Sequence, residues 1–587
     1  MENISYHLNH DKVIIRVRNR MCSNVDELLK SPLFADVLTQ FLQHLQHRRP
    51  KFLGIFEGST YSPADIDALK QALLLLTHLP AEDVQKLVPG SQSFFCDKFL
   101  FNEFVEQLYN YWRRLHRLVI CDSVFDRLDR SPYRTFNDMV ESLMHLVRSA
   151  YRDIQENITG NHPKIYRQIH AGAEVGAITR PHNMPYPPGA YDALQDIFLI
   201  RQALIYPPMI FKTPMNRRQG TFARCDQNPL EGLALDPQEW LCYPAKVGPL
   251  LIMVYFSLHF FELGFSLCNL FELADEEDLQ RKPDAIYLYG APPEHAKQVE
   301  GNETIFYEDT ANDLLVASIP LKDEYAYFGY LKKMVLTLHN IKRMQAGSLP
   351  FHGAMLQLTV RGCSPFNVLI IGDTGAGKSE TIEALRQIAR GQIDDILIIA
   401  DDMGSLELTP QGALLAYGTE MGAFVRLDDL QTGFALGQID RTILMNFDQV
   451  NARVVLPVTR YEYVMQGTPL DCVLYANNYE VVDAAHPAIE TFRDPQQALQ
   501  VFRRGAVMSK GTTTSTGLVE SYFANIFGPP QYRALHDQLA EQYFDAFFEQ
   551  GVVVGQLRTM LGLPGYERSG PEQAARALLD LIRARNI

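Results

Sequence analysis

Between Asn24 and about Ile158 apolar residues recur at three- and four-residue spacing, most regularly in LKSPLFADVLTQFLQHLQH, DIDALKQALLLLTHL and FNEFVEQLYNYWRRLHRLV. That is the period of amphipathic helices, and it predicts an all-helical N-terminal domain over 1–160. Four prolines in TRPHNMPYPPGAY, Thr179 to Tyr191, interrupt the pattern, and such punctuation predicts a boundary near 160–190. A mixed α/β stretch over 161–325 follows, with short strand-like runs in DAIYLYG (284–290) and DLLVASIP (313–320). Over 326–587 strand and helix signals alternate: NVLIIG (367–372), ETIEALRQIAR, then DILIIADD (395–402). Alternation of this kind predicts an α/β nucleotide-binding domain. Ser569-Gly-Pro-Glu572 has capping-box spacing ahead of AARALLDLI and predicts the start of the last helix.

One apolar run, PLLIMVYFSLHFFELGFSLCNLF from Pro249 to Phe271, approaches the length of a membrane span. It holds His259, Glu262 and Asn269 and lacks basic flanks, so we read it as a buried element and expect no membrane partner. Composition agrees: 587 residues at 47% hydrophobic and 21% charged describe a folded protein of several domains. A net charge of −15 without a Lys/Arg run argues against general nucleic-acid binding. The eight cysteines are dispersed, without CxxC or zinc spacing, and read as reduced core thiols. The first residues, MENISYHLNHDKVIIRVRNR, carry no export signal, so a cytoplasmic protein is expected.

The chemistry concentrates at GDTGAGKS, Gly372 to Ser379, which fits G-x-x-x-x-G-K-[ST] between an apolar strand and a helix. Such a loop turns backbone N–H groups toward phosphate, with Lys378 as a point charge and the Ser379 hydroxyl as a Mg²⁺ ligand. Gly372, Asp373, Thr374, Gly375, Ala376, Gly377, Lys378, Ser379 and the following Glu380 are therefore candidate nucleotide-binding residues. Asp401 and Asp402 end the run DILIIA, where a carboxylate at a strand's carboxyl end reaches a loop-bound metal.

GDTGAGKSE with the later ADD resembles HPr kinase/phosphorylase. YFGYLKKMVLTLHN (327–340) followed by LPFHGAML (349–356) resembles the YxGxxKK segment and downstream His of ATP-dependent phosphoenolpyruvate carboxykinase, which shares that fold. Taken alone, Lys332-Lys333 would be a solvated helix face and His352 a core histidine; their joint spacing favours function. The resemblance implies a carboxykinase-like P-loop domain with a mixed α/β N-lobe. It makes Lys333, His352 and Asp402 ligands of a transition metal such as Mn²⁺, places Tyr327 and Lys332 at the substrate, and gives Asp401 to the nucleotide-bound Mg²⁺. NARVVLPV (451–458) resembles the segment whose Arg contacts the transferring phosphoryl, placing Arg453 there, and FRRGAVMSKGTTTSTGLVESYFANIFGPP (502–530) resembles the adenine-side segment.

The chain also departs from that pattern. The substrate-binding GRSP signature is absent, with Arg217 and Arg218 in MNRRQG as the nearby candidates. In GTEMGAFVRL (418–427) the family's phosphate-binding Lys falls on Ala423, with Arg426 near, and in GTTTSTG the Arg after Gly-Thr is replaced by Thr514. Three expectations follow: an ATP-dependent phosphotransferase acting on oxaloacetate or a related small carboxylate, a kinase for a protein or metabolite hydroxyl, or a nucleotide-gated regulatory module.

Overall fold

The computed structural model describes residues 4–18, 21–122, 132–162, 170–206, 209–295, 301–388, 392–427, 441–510, 516–526 and 532–585. The chain divides into two compact units, Met1–Pro181 with Leu199–Met209, and His182–Phe198 with Ile210–Ile587. Both mix helix and sheet, and no helix among the described residues is long and apolar enough to cross a membrane.

The first unit corrects the all-helical expectation. Strands β1 (Ile4–Leu8), β2 (Lys12–Val17), β3 (His116–Asp122), β4 (Val175–Arg180) and β5 (Leu199–Ile205) lie side by side in that order. The three inner strands are parallel and the outer pairs antiparallel. The run RLHRLV was expected to continue a helix. That helix stops at Arg114, and β3 is buried at every position after His116. A strand buried on both faces reads as an unbroken apolar run, which periodicity alone cannot tell from a buried helical turn.

The longer helices of this unit are α1 (Pro32–Arg48), α2 (Pro63–Leu75), α3 (Lys98–Arg114) and α4 (Pro132–Thr159). The first three start at side-chain caps: Ser31, Ser62 and Asp97 accept from the backbone N–H three residues on. Their apolar faces join Phe41, Leu69, Phe101 and Phe104 in one cluster. A second cluster, with Ile15, Val119, Phe136 and Val140, packs against the sheet.

In the second unit a lobe sheet runs β6 (Trp240–Val247), β7 (Leu250–Ser257), β8 (Ala285–Ala291), then β10 (Leu314–Pro320) and β9 (Ile305–Asp309). The long apolar run from Pro249 therefore becomes β7 and a short helix, Phe261–Phe265, both buried. Helix α5 (Phe328–Gln345) is enclosed along nearly its whole length, so Lys332 sits inside the protein instead of on a solvated face.

A second sheet of this unit contains β11 (Leu349–Val360), β12 (Phe366–Ile371), β13 (Ile393–Leu408), β14 (Leu414–Gly418), β18 (Cys472–Asn477) and β21 (Val553–Arg558), ordered β14-β13-β11-β12-β18-β21. β12, β18 and β21 are parallel, while β11 runs antiparallel to both its neighbours. Helix α6 (Lys378–Ile388) leaves the loop after β12, and α7 (Ser569–Arg585) joins it in the core with Leu385 and Leu578. Ser569 is the first residue of α7, and the Glu572 carboxylate accepts from Arg568 Nε at 3.1 Å. A small antiparallel sheet holds β15 (Gly422–Arg426), β16 (Ile443–Met445) and β17 (Arg453–Pro457). A hairpin pairs β19 (Ala506–Lys510) with β20 (Thr516–Glu520).

No disulfide joins the eight cysteines; Cys121, Cys225, Cys242 and Cys472 are buried, whereas Cys96 is exposed.

Candidate functional site

Strand register sets the site. Gly353 on β11 pairs with Ile371 at the end of β12 and with Asp402 on β13, and Ala354 pairs with Ile370 and Asp401. The aspartates are thereby level with the start of the glycine-rich loop that follows β12. The Gly372 N–H donates to His352 O at 3.1 Å, fixing the loop's first residue to the strand that bears the histidine.

Gly375 and Gly377 take positive φ, 76° and 98°, conformations that L side chains disfavour. A Cβ at Gly377 would also lie 2.5 Å from Thr559 Oγ1. Thr559 Oγ1 donates to Ala376 O at 2.7 Å, and Asn478 Nδ2 donates to Gly375 O at 2.9 Å. The same Asn478 donates to Met508 O at 2.9 Å and accepts from Met508 N at 2.8 Å, so it ties the loop to β19. The Lys378 ammonium donates to Gly372 O and, at 3.2 Å, to Asp373 O, lying back over its own loop. Thr374 and Ser379 are exposed, and Asp373 and Glu380 half-buried. Asp401 is pushed up to about 6 by burial and by Asp402, against the pull of Lys332, Lys378 and Arg386.

Beside the loop, Asp402 accepts from Lys332 Nζ at 2.6 Å and faces His352 Nε2 at 2.9 Å. Burial would raise the Asp402 pKa, but the adjacent Lys332 and His352 hold it well below the usual carboxylate range. Burial likewise disfavours the charged Lys332, yet Asp402 and Glu420 raise it above an ordinary lysine. Lys333 behaves oppositely: burial first, then the like charges of Lys332 and Arg218, push it down to about 8. Two adjacent lysines are thus separated into a firm ammonium and an amine that deprotonates readily.

His352 is buried, and its Nδ1 is held by Ala524 O. Phe523, Ala524 and Asn525 all take left-handed φ, 46°, 55° and 63°. Such strain clusters where the surroundings over-determine a functional geometry. Nδ1 donates to that carbonyl, as the ring of a metal-ligating histidine commonly does, and Nε2 faces the Asp402 carboxylate as its hydrogen-bond donor. An amine of lowered pKa, an oriented imidazole and a carboxylate form a donor set that suits Mn²⁺ better than Ca²⁺.

The small sheet brings two arginines together. Arg426 on β15 is directly opposite Arg453 on β17, a like-charged pairing that costs energy unless an anion is shared. Strand alternation separates Ala423 from them: it joins Val454 and Leu456 in an apolar cluster on the other face. Arg426, on the opposite face, therefore does not take the place of a cation at Ala423. Arg453 stacks over Phe424 at 5.4 Å, and the Tyr327 ring lies 5.8 Å from Phe424. Burial raises the Tyr327 pKa, opposed by Arg453.

Of the two arginines in MNRRQG, Arg218 acts electrostatically on Lys333 and Tyr327, whereas Arg217 is exposed. The loop is fixed by Gln219 N donating to Tyr330 Oη at 3.0 Å and by Asn216 Nδ2 donating to Val450 O at 2.8 Å. Thr514 and the Phe-Gly at 527–528 lie outside the described residues.

Glu420 was not among the expected residues. It is 1% exposed and pairs with Lys332 Nζ at 2.9 Å. Its signal in the sequence is that it is the lone charge in the run LLAYGTEMGAFV, 414–425, and a buried carboxylate needs a partner. No protein-family model matches this chain, and no curated protein matches it either.

Proposed function

We propose that the chain is an ATP-dependent phosphotransferase of the carboxykinase type, acting on oxaloacetate or a related small carboxylate. One observation carries the reading. Asp402 holds Lys332 and His352 together, while its neighbour Asp401 lies in the field of the P-loop residue Lys378.

In this reading Gly372 to Lys378 bind the nucleotide phosphates, and Arg453 with Arg426 receives the transferring phosphoryl group. Their cationic charge counts most where negative charge grows during transfer. Arg218 and Tyr327 orient the acceptor, and Lys332, fixed by Asp402 and Glu420, keeps a permanent positive charge beside it. Lys333, His352 and Asp402 would hold a Mn²⁺ ion, and Ser379 with Asp401 the nucleotide's Mg²⁺. Such ions, when bound, supply positive charge that stabilises anionic oxygens.

The test is incubation of the full chain with labelled ATP, Mg²⁺, Mn²⁺ and oxaloacetate. Release of CO₂ with label in phosphoenolpyruvate supports the proposal. Label transferred instead to a protein or metabolite hydroxyl in added cell extract moves the same residues to the kinase reading. ATP binding without turnover moves them to the regulatory one.

A further inference from the structure

His536 is a buried histidine that the proposed chemistry does not use. It lies on the helix Arg533–Glu549 and is 2% exposed. Its Nε2 stands 3.1 Å from Pro350 O. A carbonyl oxygen only accepts, so Nε2 carries the proton and His536 donates to β11, two residues before His352. Burial lowers the His536 pKa to about 4, which leaves the ring neutral with a lone pair on Nδ1. The Tyr522 hydroxyl is 2.9 Å from that nitrogen and 2.8 Å from Asp537 Oδ1, and it shares its one proton between them.

Tyr522 opens the turn that reaches His352 from the other side. Phe523, Ala524 and Asn525 follow it in the left-handed conformation, which L residues with side chains rarely adopt even singly. Ala524 N donates to Ser521 O at 2.8 Å and Asn525 N to Tyr522 O at 3.0 Å. The buried Phe523 ring stands edge-on to His536 with centroids 4.8 Å apart, and edge-on to Phe544 at 6.2 Å. This conformation aims Ala524 O at His352 Nδ1. His536 thus grips both arms of one clamp. Through Pro350 it holds the strand that carries His352, and through Tyr522 and Phe523 it holds the turn that fixes the His352 ring.

We propose that His536 is the positioning residue for His352: it keeps the Ala524 carbonyl on Nδ1, so that Nε2 is the nitrogen left for a divalent cation. The proposal rests on the reading of Lys333, His352 and Asp402 as a metal site. Partners that orient a ligating histidine from behind govern its metal affinity.

The test is Mn²⁺ titration of the full chain as wild type, His536→Phe and His536→Gln, with His352→Ala as the reference for a lost ligand. His536→Phe keeps a flat ring and removes both nitrogens. It should weaken Mn²⁺ binding about tenfold or more, while ATP binding in Mg²⁺ and circular dichroism stay unchanged. His536→Gln, whose amide can donate to Pro350 O and accept from Tyr522, should return the affinity to within about threefold of wild type. If His536→Phe does not fold, Tyr522→Phe takes its place, with an expected loss of about fivefold. Wild-type Mn²⁺ affinity in the folded Phe variant, or a loss in His536→Gln as large as in His536→Phe, would overturn the proposal. A loss in His352→Ala alone would overturn it and leave the metal site standing, whereas no loss in any variant would remove both.

Discussion

Eight successive residues, Gly372 to Ser379, make the glycine-rich loop, and its shape rests on glycine backbone and a few hydrogen bonds to Asn478 and Thr559. The charged cluster beside it draws Arg218, Lys332, Lys333, His352, Asp402, Glu420 and Arg453 from separate stretches of the chain. Its centre rests on the buried pairs of Lys332 with Asp402 and Glu420 and of His352 with Asp402, where each partner compensates the other's burial. The loop should therefore tolerate losing a side chain without losing its fold, whereas the cluster should lose stability and function together.

The largest expected effect is on the loop side. Lys378→Ala should slow phosphoryl transfer at least a hundredfold, on the order of 3 kcal/mol of transition-state stabilisation. Its thermal unfolding should match the wild type. Turnover unchanged at saturating nucleotide would remove the loop from the chemistry.

On the cluster side, Glu420→Gln leaves the buried Lys332 ammonium with Asp402 as its remaining carboxylate partner. Denaturant unfolding should report a loss of about 2 kcal/mol. An unchanged midpoint would mean that the Lys332–Glu420 pair contributes nothing net, and the contrast with the loop would fail.

The smallest effect probes the junction with the hairpin. Asn478→Ala removes the bonds to Gly375 and Met508, which should weaken nucleotide binding by about 1 kcal/mol, roughly fivefold. Equal affinity for a fluorescent ATP analogue in both proteins would show that the loop holds its shape unaided.

The same contrast explains what could be read from the sequence. The loop was legible because its glycines, lysine and serine are contiguous and flanked by a strand and a helix that both form. In the cluster, the resemblance already gave Lys332 and Lys333 separate roles, but only the fold shows that Glu420 joins Asp402 in pairing with Lys332, while burial lowers Lys333. Arg426 was underrated because spacing along the chain says nothing of register, which sets it opposite Arg453. In the first unit β3 was taken for helix because a strand buried on both faces has no alternation to betray it.

Mn²⁺ titration without nucleotide, on the wild type and on His352→Ala, followed by ATP binding in Mg²⁺, tests the separation of loop and cluster most directly. If Lys333, His352 and Asp402 form one metal site, the variant should bind Mn²⁺ about ten- to a hundredfold more weakly while its ATP affinity stays within about threefold. Equal Mn²⁺ affinity in the two proteins would make His352 a core residue and contradict the metal site on which the proposed function depends.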